Sequence, residues 1–308
     1  MQFIKPDVNI DFIGKRKFAV ILSLALILVG LASLIVKGGP NYGIDFAGGS
    51  LVQVRFTDAT DAAAIKNALG DLDLGGVVVQ HFGDNPNEFL IRVQGGKGDS
   101  LARVISSALT ESYGEGQVDL RRVEMVGPQV GKDLRQKGLL AILYAMIGIL
   151  AYITWRFEFR FAVGAIVALL HDVLITLGVF SLFGKEIDLP IIAAFLAIIG
   201  YSLNDTIIVY DRIRENFGKY KKKGFAELVN RSINETLSRT ILTSGTTLLV
   251  VLSLFLFGGG VIHNFAFAML VGIIVGTYSS IFVASPILVF WNDYRSGGQK
   301  TAKEGTTA

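Results

Sequence analysis

The chain has 308 residues, of which 51% are hydrophobic, and its mean hydropathy is +0.52. So apolar a composition excludes an ordinary soluble globular protein and places the chain among membrane proteins. The net charge is only +3, and the absence of cysteine excludes disulfides and thiolate metal sites.

Six apolar segments are long enough to cross a bilayer as helices, because about 18 to 20 apolar residues span its hydrocarbon core. They are residues 18–36, 138–155, 161–183, 189–210, 241–257 and 261–290. The first follows the basic cluster Lys15–Lys17, as the core of a secretory signal does. Its apolar stretch is longer than a signal core, so we expect an uncleaved anchor.

Positive charge predicts the orientation of these spans. Lys and Arg are concentrated before the first span, between spans two and three, in the 211–240 segment and after span six, whereas the short loops on the other side contain only Lys185. We therefore expect both termini in the cytoplasm. The expected parts are a cytoplasmic N-terminus (1–17), span one (18–36), an external domain (37–137), spans two to six (138–290) with a cytoplasmic basic loop (211–240), and a cytoplasmic tail (291–308).

The run Lys219–Lys223 is the densest group of positive charge. We interpret it as a topology determinant attracted to anionic lipid. Nucleic acid is not expected as a partner, because no aromatic residues are interleaved with the charges and no binding motif accompanies them.

The external segment reads as a folded α+β domain. Strands are predicted at 51–56, 76–81, 88–93 and 118–125, with helices at 60–69 and from Asp99 or Ser100 to 112, and a turn at 83–86. The order β-α-β-β-α-β predicts a ferredoxin-like sandwich. It contains no nucleophile–base pair or metal cluster, so we expect a binding or mechanical role.

A carboxylate, Asp205, interrupts the fourth span. A charged side chain costs roughly 2.5–3.5 kcal/mol or more at the bilayer centre, and uptake of a proton removes that charge. Asp205 is therefore a candidate coupling site for proton flow. It lies about 7–8 Å inside the predicted end of the span at Tyr210, within reach of Arg239 from the next span.

Asp205 and Arg239 together suggest a two-state switch. Arg239 would hold the carboxylate ionised, and separation of the two would favour its protonation. The alternatives are a structural ion pair or helix–helix hydrogen bond for Asp205, and a snorkelling anchor at the membrane surface for Arg239.

Other polar residues interrupt the apolar spans. His171 and Asp172 lie near the middle of span three, where they form an internal pair or extend a proton route. Asn204 points about 100° away from Asp205 on a helix, so we expect it to hydrogen-bond to another helix. The three histidines of the chain are far apart, so no metal site is expected.

Small residues predict close helix packing at two places. Gly272 and Gly276 have the small-xxx-small spacing that favours contact with another helix, in this chain or in a partner. The segment Ser244–Thr247 offers small and hydroxyl side chains next to the helix of Asp205.

Three segments resemble the SecF family of the bacterial protein-export machinery. They are Gly43–Gly49 (GIDFAGG), Val126–Gly131 (VGPQVG) and Ile199–Asn216 (IGYSLNDTIIVYDRIREN), and the six-span layout agrees. In the first segment we expect Gly43, Gly48 and Gly49 to permit a tight turn and Asp45 to cap backbone N–H groups.

The resemblance implies a role in export. Proteins of this family are auxiliary, non-enzymatic subunits without cofactors in the bacterial inner membrane. They pair with SecD in an assembly of the RND transporter class, associate with the SecYEG channel, and use proton-motive force to draw unfolded preprotein outward after SecA has pushed it. YajC is a further candidate partner. Asp205 and Arg239 match the carboxylate and arginine assigned to the proton path.

Three other functions compete with this one. One is an RND-type exporter of small molecules, which would have to be a homo-oligomer because six spans and one external domain are only half of such a transporter. A passive scaffold would use the polar membrane residues only for packing. An intramembrane protease lacks support, because the chain has no His-Glu-x-x-His or paired-aspartate motif.

Overall fold

The structure is a computed structural model that describes residues 9–70, 72, 74, 76–82, 85–93, 98–220, 224–258 and 260–304, with the backbone alone at 98–100, 260–261 and 296–304. Six helices in this part of the chain are long and apolar enough to cross a membrane. The six predicted spans are therefore confirmed.

The first span, α1 (Arg16–Val36), leads through one helical turn, α2 (Ile44–Ala47), into a small domain. Its elements are β1 (Gly49–Phe56), α3 (Ala62–Ala68), β2 (Val77–His81), β3 (Glu88–Val93), α4 (Gly98–Tyr113) and β4 (Val118–Val126). The strands are antiparallel and lie in the order β2-β3-β1-β4. We call residues 49–126 the sheet domain.

Alternation along the strands gives the sheet domain its core. Val52 and Val54 of β1 and Ile91 of β3 face α3 and α4, which contribute Ile65 and Ile105. Asp61 caps α3 by accepting a hydrogen bond from Ala64 N. Two predicted features lie outside the described residues, namely Gly83 and Asp84 of the turn and the capping side chain at Asp99 or Ser100.

The remaining spans follow the sheet domain. They are α5 (Pro128–Arg156), α6 (Phe159–Leu182), α7 (Leu189–Lys219), α8 (Phe225–Phe257) and a composite last span of α9 (Gly260–Ser279), a π-helical turn (Ser280–Ala284) and α10 (Ser285–Glu304). Among the six spans, α6, α7 and α9 occupy the centre of the bundle, whereas few residues in the apolar stretches of α1, α5 and α8 are buried.

Most of the segment 211–240, predicted as a loop, is helical. The helix α7 continues to Lys219 and α8 begins at Phe225. Pairs such as Arg212–Glu215 and Arg231–Glu235 stand three and four residues apart, a spacing that stabilises a solvated helix although it lacks an apolar run. Residues 221–223 of the basic run lie outside the described residues.

Glycines set two of the closest helix crossings. A Cβ on Gly30 of α1 would lie 2.8 Å from Gly178 Cα of α6. A Cβ on Gly276 of α9 would lie 2.9 Å from Ser202 Cβ of α7. The small-residue face predicted at Gly272 and Gly276 is therefore confirmed, and it packs inside this chain.

Candidate functional site

Asp205 lies in the centre of the helix bundle, on the buried face of α7. Its side chain is 0% exposed. One carboxylate oxygen, Oδ2, accepts a hydrogen bond of 3.1 Å from Ser244 Oγ of α8, and Thr277 of α9 donates in turn to Ser244 Oγ at 2.9 Å. The other oxygen, Oδ1, has no hydrogen-bond partner among the described residues. The predicted contact of the Ser244–Thr247 segment with Asp205 is thus made by Ser244.

The depth of Asp205 differs from the sequence prediction. Because α7 continues nine residues beyond Tyr210, to Lys219, Asp205 lies roughly 21 Å from that end of the helix at ~1.5 Å per residue. It lies about 24 Å from the other end, at Leu189. The predicted distance of 7–8 Å between Asp205 and the end of the helix was wrong because the apolar run ends before the helix does.

Arg239 does not pair with Asp205 within the described chain. Its side chain is exposed on α8, and the ion pairs found among the described residues do not include it. The physical reason is helical phase, since Arg239 stands five residues before Ser244 and points about 140° away from it. The structure therefore has the two groups of the proposed switch apart, and the predicted approach of Arg239 to Asp205 stays a prediction.

Asn204 also points away from the interior. It is exposed, next to the fully buried Asp205. No hydrogen bond from its side chain to another helix is found in the described part of the chain, so that prediction is not met here. Asn204 and Arg239 are instead polar groups on the outer surface of two spans.

His171 and Asp172 form a buried pair in α6. Asp172 is 1% exposed, and its Oδ1 lies 2.9 Å from His171 Nδ1. Its Oδ2 accepts hydrogen bonds from Ser202 of α7 at 2.5 Å and from Ser279 of α9 at 2.8 Å. The pair therefore joins the three central helices. The internal pairing predicted from sequence is present.

Sequence reasoning missed the hydroxyl groups around this pair. They are Ser23, Ser202, Tyr278 and Ser279. A signal was available for Ser202, which precedes Asp205 by three residues and so lies on the same face of α7. Ser279 adjoins the π-helical turn, a feature that often marks functional sites in helices.

The glycine element lies where the sheet domain joins the spans. Gly48 and Gly49 have φ of +74° and +132°, so the predicted tight turn is found there. Gly43 has an ordinary φ of −68°. A larger residue would be crowded at this position, because an added Cβ would lie 3.3 Å from Asp188 Cβ. Asp45 does cap a backbone N–H group, but that of Leu189, at 2.9 Å.

Asp45 is one of several links between the sheet domain and the start of α7. Arg92 of β3 forms an ion pair with Glu186, in the loop before α7. Burial lowers the pKa of Arg92 below its ordinary value and raises the pKa of Asp188. A cavity of ≈ 640 Å³ lies beside this ion pair, between β2, β3 and the ends of the spans that face the sheet domain.

No cluster of three or more His, Asp or Glu side chains that could hold a metal ion occurs among the described residues. What the site offers chemically is proton binding by buried carboxyl and imidazole groups in helices that cross a membrane.

Comparison with known proteins identifies relatives over nearly the whole length. The model of the SecD/SecF C-terminal family of protein export membrane proteins matches residues 105–294, and that of the SecD/SecF GG motif matches residues 33–60. Protein translocase subunit SecF of Magnetococcus marinus is 51% identical over 99% of both chains. SecF of Vibrio alginolyticus is 47% identical over 93% of this chain and 91% of its own.

Solved structures agree with these matches. The crystal structure of SecDF, a translocon-associated membrane protein from Thermus thermophilus, is 38% identical with a TM-score of 0.84 over 94% of this chain. A SecDF structure in a super-membrane-facing form is 38% identical with a TM-score of 0.72. This chain spans 40% and 41% of those two SecDF chains.

Proposed function

Since this chain belongs to the SecF family of protein translocase subunits, an auxiliary role in Sec protein translocation follows, and we propose that proton movement through its buried carboxyl groups drives that role. In this proposal the chain works with SecD, takes protons from the side of the sheet domain, and uses them to move the sheet domain. It is a non-catalytic subunit that needs no cofactor.

The single observation that carries the proposal is the environment of Asp205. A carboxyl group is costly to keep charged when it is fully buried in a membrane-spanning helix and one of its oxygens has no hydrogen-bond partner among the described residues. A proton on Oδ1 removes that cost. An approaching cation such as Arg239 would restore the charged form, so the site can alternate between two states.

The links at the start of α7 support transmission to the sheet domain. Asp45 holds the first turn of α7, and Tyr42 pairs with Ile187 in the loop before it. Arg92 holds the same loop from β3. A small shift of α7 on proton binding would therefore be carried to β3 and the glycine element, and the adjacent cavity leaves room for the sheet domain to move.

Partners follow from the surface of the spans and from the family. Asn204 and Arg239 are polar and exposed on apolar helices, a costly arrangement in lipid, and we assign this face to SecD. The further partners proposed are the SecYEG channel, YajC and, indirectly, SecA, with unfolded preprotein as substrate.

The proposal includes location and fold at a finer level. We place the chain in the bacterial inner membrane with both termini in the cytoplasm, which the distribution of Lys and Arg supports. The strand order β2-β3-β1-β4 and the two helices on one face support a ferredoxin-like sheet domain.

The orientation in the membrane can be tested by labelling. Because the chain contains no cysteine, single cysteines introduced at Ser107 and Lys219 and labelled with a membrane-impermeant reagent would report on which side each residue lies. Equal labelling of both from one side would contradict it.

The central experiment is the Asp205→Asn variant. Asn keeps the shape and the hydrogen bond from Ser244 but cannot bind and release a proton. We expect preprotein export into vesicles that contain the chain and SecD to lose its dependence on proton-motive force, while co-purification with SecD is retained. Export that responds normally to proton-motive force in this variant would refute the proposal and favour a passive scaffold.

The homo-oligomeric exporter has no observation in its favour. The relatives found are translocase subunits, and a matched structure is that of SecDF, a translocon-associated membrane protein.

A further inference from the structure

A second ionisable group lies buried in the spans, apart from Asp205. Asp172 and His171 are 1% and 5% exposed. The groups that face them come from three helices, namely Ser23 of α1, Ser202 of α7, and Tyr278 and Ser279 of α9. Asp205 stands one turn further along α7 from Ser202. Among the described residues no Lys or Arg forms an ion pair with Asp172, and the π-helical turn contains no charged residue.

The hydrogen bonds fix where the protons of this pair are. Tyr278 donates its hydroxyl proton to the carbonyl of Ala19, at 2.9 Å. The 3.2 Å contact between Ser23 Oγ and the Tyr278 hydroxyl must then be donated by Ser23. Because the Ser23 proton is used there, the 3.0 Å contact between Ser23 Oγ and His171 must be donated by Nε2–H of the imidazole.

One further proton must lie between His171 and Asp172. With Nε2 already protonated, the 2.9 Å contact of Nδ1 with Asp172 Oδ1 needs a hydrogen supplied by one of the two groups. The pair is therefore either imidazolium with carboxylate or imidazole with carboxylic acid. Both forms hold the same number of protons and have no net charge, which suits a site inside a membrane.

The pair lies on the sheet-domain side of Asp205. Asp172 is about 15 Å from the end of α6 at Leu182, and Asp205 about 24 Å from the start of α7 at Leu189, counted at ~1.5 Å per residue. Both of these helix ends face the sheet domain. A proton that enters from that side would meet His171 and Asp172 first.

We propose that His171 and Asp172 form a second proton-binding site, which holds one exchangeable proton and loads it before Asp205 in the coupling cycle. The inference rests on the proposed function, because it adds a step to the same proton path. Ser202 and Ser279 remain donors to Asp172 Oδ2 in both states, so they stabilise the carboxylate when the proton has left.

Release of the proton requires only small movements. The imidazole loses the hydrogen on Nε2 and keeps the one on Nδ1, which it donates to Asp172. The proton on Nε2 passes to Ser23 Oγ, the Ser23 proton passes to the Tyr278 oxygen, and the Tyr278 hydroxyl proton is taken up by a water molecule. At the end Ser23 and Tyr278 are again neutral hydroxyls, with Tyr278 donating to Ser23 and Ser23 donating to Nε2. The pair changes from no net charge to a single negative charge.

The test is infrared difference spectroscopy with a pH change, on the full chain with SecD in liposomes, together with export measurements. In the unchanged protein we expect carboxyl and imidazole signals from this pair beside the carboxyl signal of Asp205. Asp172→Asn should remove the former and keep the latter, and Asp205→Asn should do the reverse. Both variants should lose proton-driven export. Asn reproduces every hydrogen-bond position of Asp172, so folding should be retained.

Two further variants control the experiment. Thr176→Ala removes a buried hydroxyl of α6 that bonds only to Asp172 O of the backbone, and should leave spectra and export unchanged. Ser23→Ala keeps the pair but removes its exchange route, so the signals of the pair should persist and lose their response to pH.

Unchanged spectra and full proton-driven export in Asp172→Asn would overturn the inference and leave a structural hydrogen bond. Loss of proton-driven export in Asp205→Asn but not in Asp172→Asn would overturn only this inference, whereas full export in Asp205→Asn would remove the proposed function.

Discussion

At the scale of single residues, the polar side chains inside the spans indicate the function of the protein better than its net charge or composition does. Asp205 and the pair His171–Asp172 could be recognised from sequence, because a charged or ionisable residue in an apolar run is costly. Their hydrogen-bond partners could not be recognised, since serines such as Ser23 and Ser279 are common in membrane helices. Their positions depend on how four helices pack.

Ser244 donates a hydrogen bond of 3.1 Å to Oδ2 of Asp205. In Ser244→Ala, a buried acceptor loses its partner, which costs about 1–3 kcal/mol. We expect a lower free energy of unfolding in detergent and reduced, but not abolished, proton-driven export. The control is Thr246→Ala, an exposed residue of the same helix that bonds only to its own backbone. Equal effects of the two variants would contradict the role given to Ser244.

Asp188 makes stability depend on pH at the start of α7, next to the sheet domain. Burial, and then the nearby Asp45, raise its pKa above the ordinary value of 3.8, although Ile191 N–H and Arg92 act against the rise. The folded protein therefore holds this proton more tightly than the unfolded chain does. The contribution of Asp188 to the free energy of unfolding is present at low pH and is lost as pH rises from about 3.8 through the folded-state pKa of this group.

The variant Asp188→Asn removes this titration and keeps a side chain that can cap α7. The free energy of unfolding of the unchanged protein, minus that of the variant, should fall as pH rises through this window and stay constant above it. The measurement is unfolding of the full chain in detergent at a series of pH values. A difference that rises with pH would contradict the burial described for Asp188.

At the scale of elements, hydropathy predicted all six spans, but helix ends were wrong where charged residues continue a helix beyond the apolar run, as in α7 and α8. Periodicity gave the strands of the sheet domain within two residues at either end. It could not give the contact of the glycine element with the start of α7, because the segments that meet there are far apart in sequence.

The turn between α2 and β1 depends on Gly48. Its φ is +74°, and an added Cβ would lie 2.8 Å from Pro128 Cα at the start of α5. Gly116 has a similar φ of +79° and open space around it. We expect Gly116→Ala to cost about 1–2 kcal/mol through backbone strain, and Gly48→Ala to cost more in unfolding measurements because of the contact. Equal costs would show that the close approach of α2 and α5 is unimportant.

The crossing of α1 and α6 depends on glycine at both positions. A side chain in Gly178→Val would displace Gly30 and with it Ser23, which bonds to His171. We expect lower thermal stability and altered infrared signals of the His171–Asp172 pair. In the matched variant Gly148→Val the new side chain on α5 meets nothing within 4 Å, so stability should hardly change. Similar losses in both would contradict the importance of this crossing.

At the scale of the whole molecule, the two buried groups that we propose to bind protons lie in the central helices α6 and α7. The start of α7 is tied to the sheet domain by Asp45 and by the ion pair of Arg92 with Glu186. The energy available is sufficient in principle, since one charge crossing 100 mV provides about 2.3 kcal/mol. The central claim is therefore mechanical, namely that proton binding at Asp205 changes the position of the sheet domain.

The most direct test measures the distance between the sheet domain and the spans while a proton gradient is imposed. Because the chain has no cysteine, Ser107→Cys on α4 and Trp155→Cys on α5 accept a fluorophore pair without background labelling. In liposomes that contain the chain and SecD, the distance distribution should shift when the gradient is applied, and Asp205→Asn should abolish the shift. A shift that persists in Asp205→Asn, or no shift in the unchanged protein, would contradict the coupling of proton binding to movement.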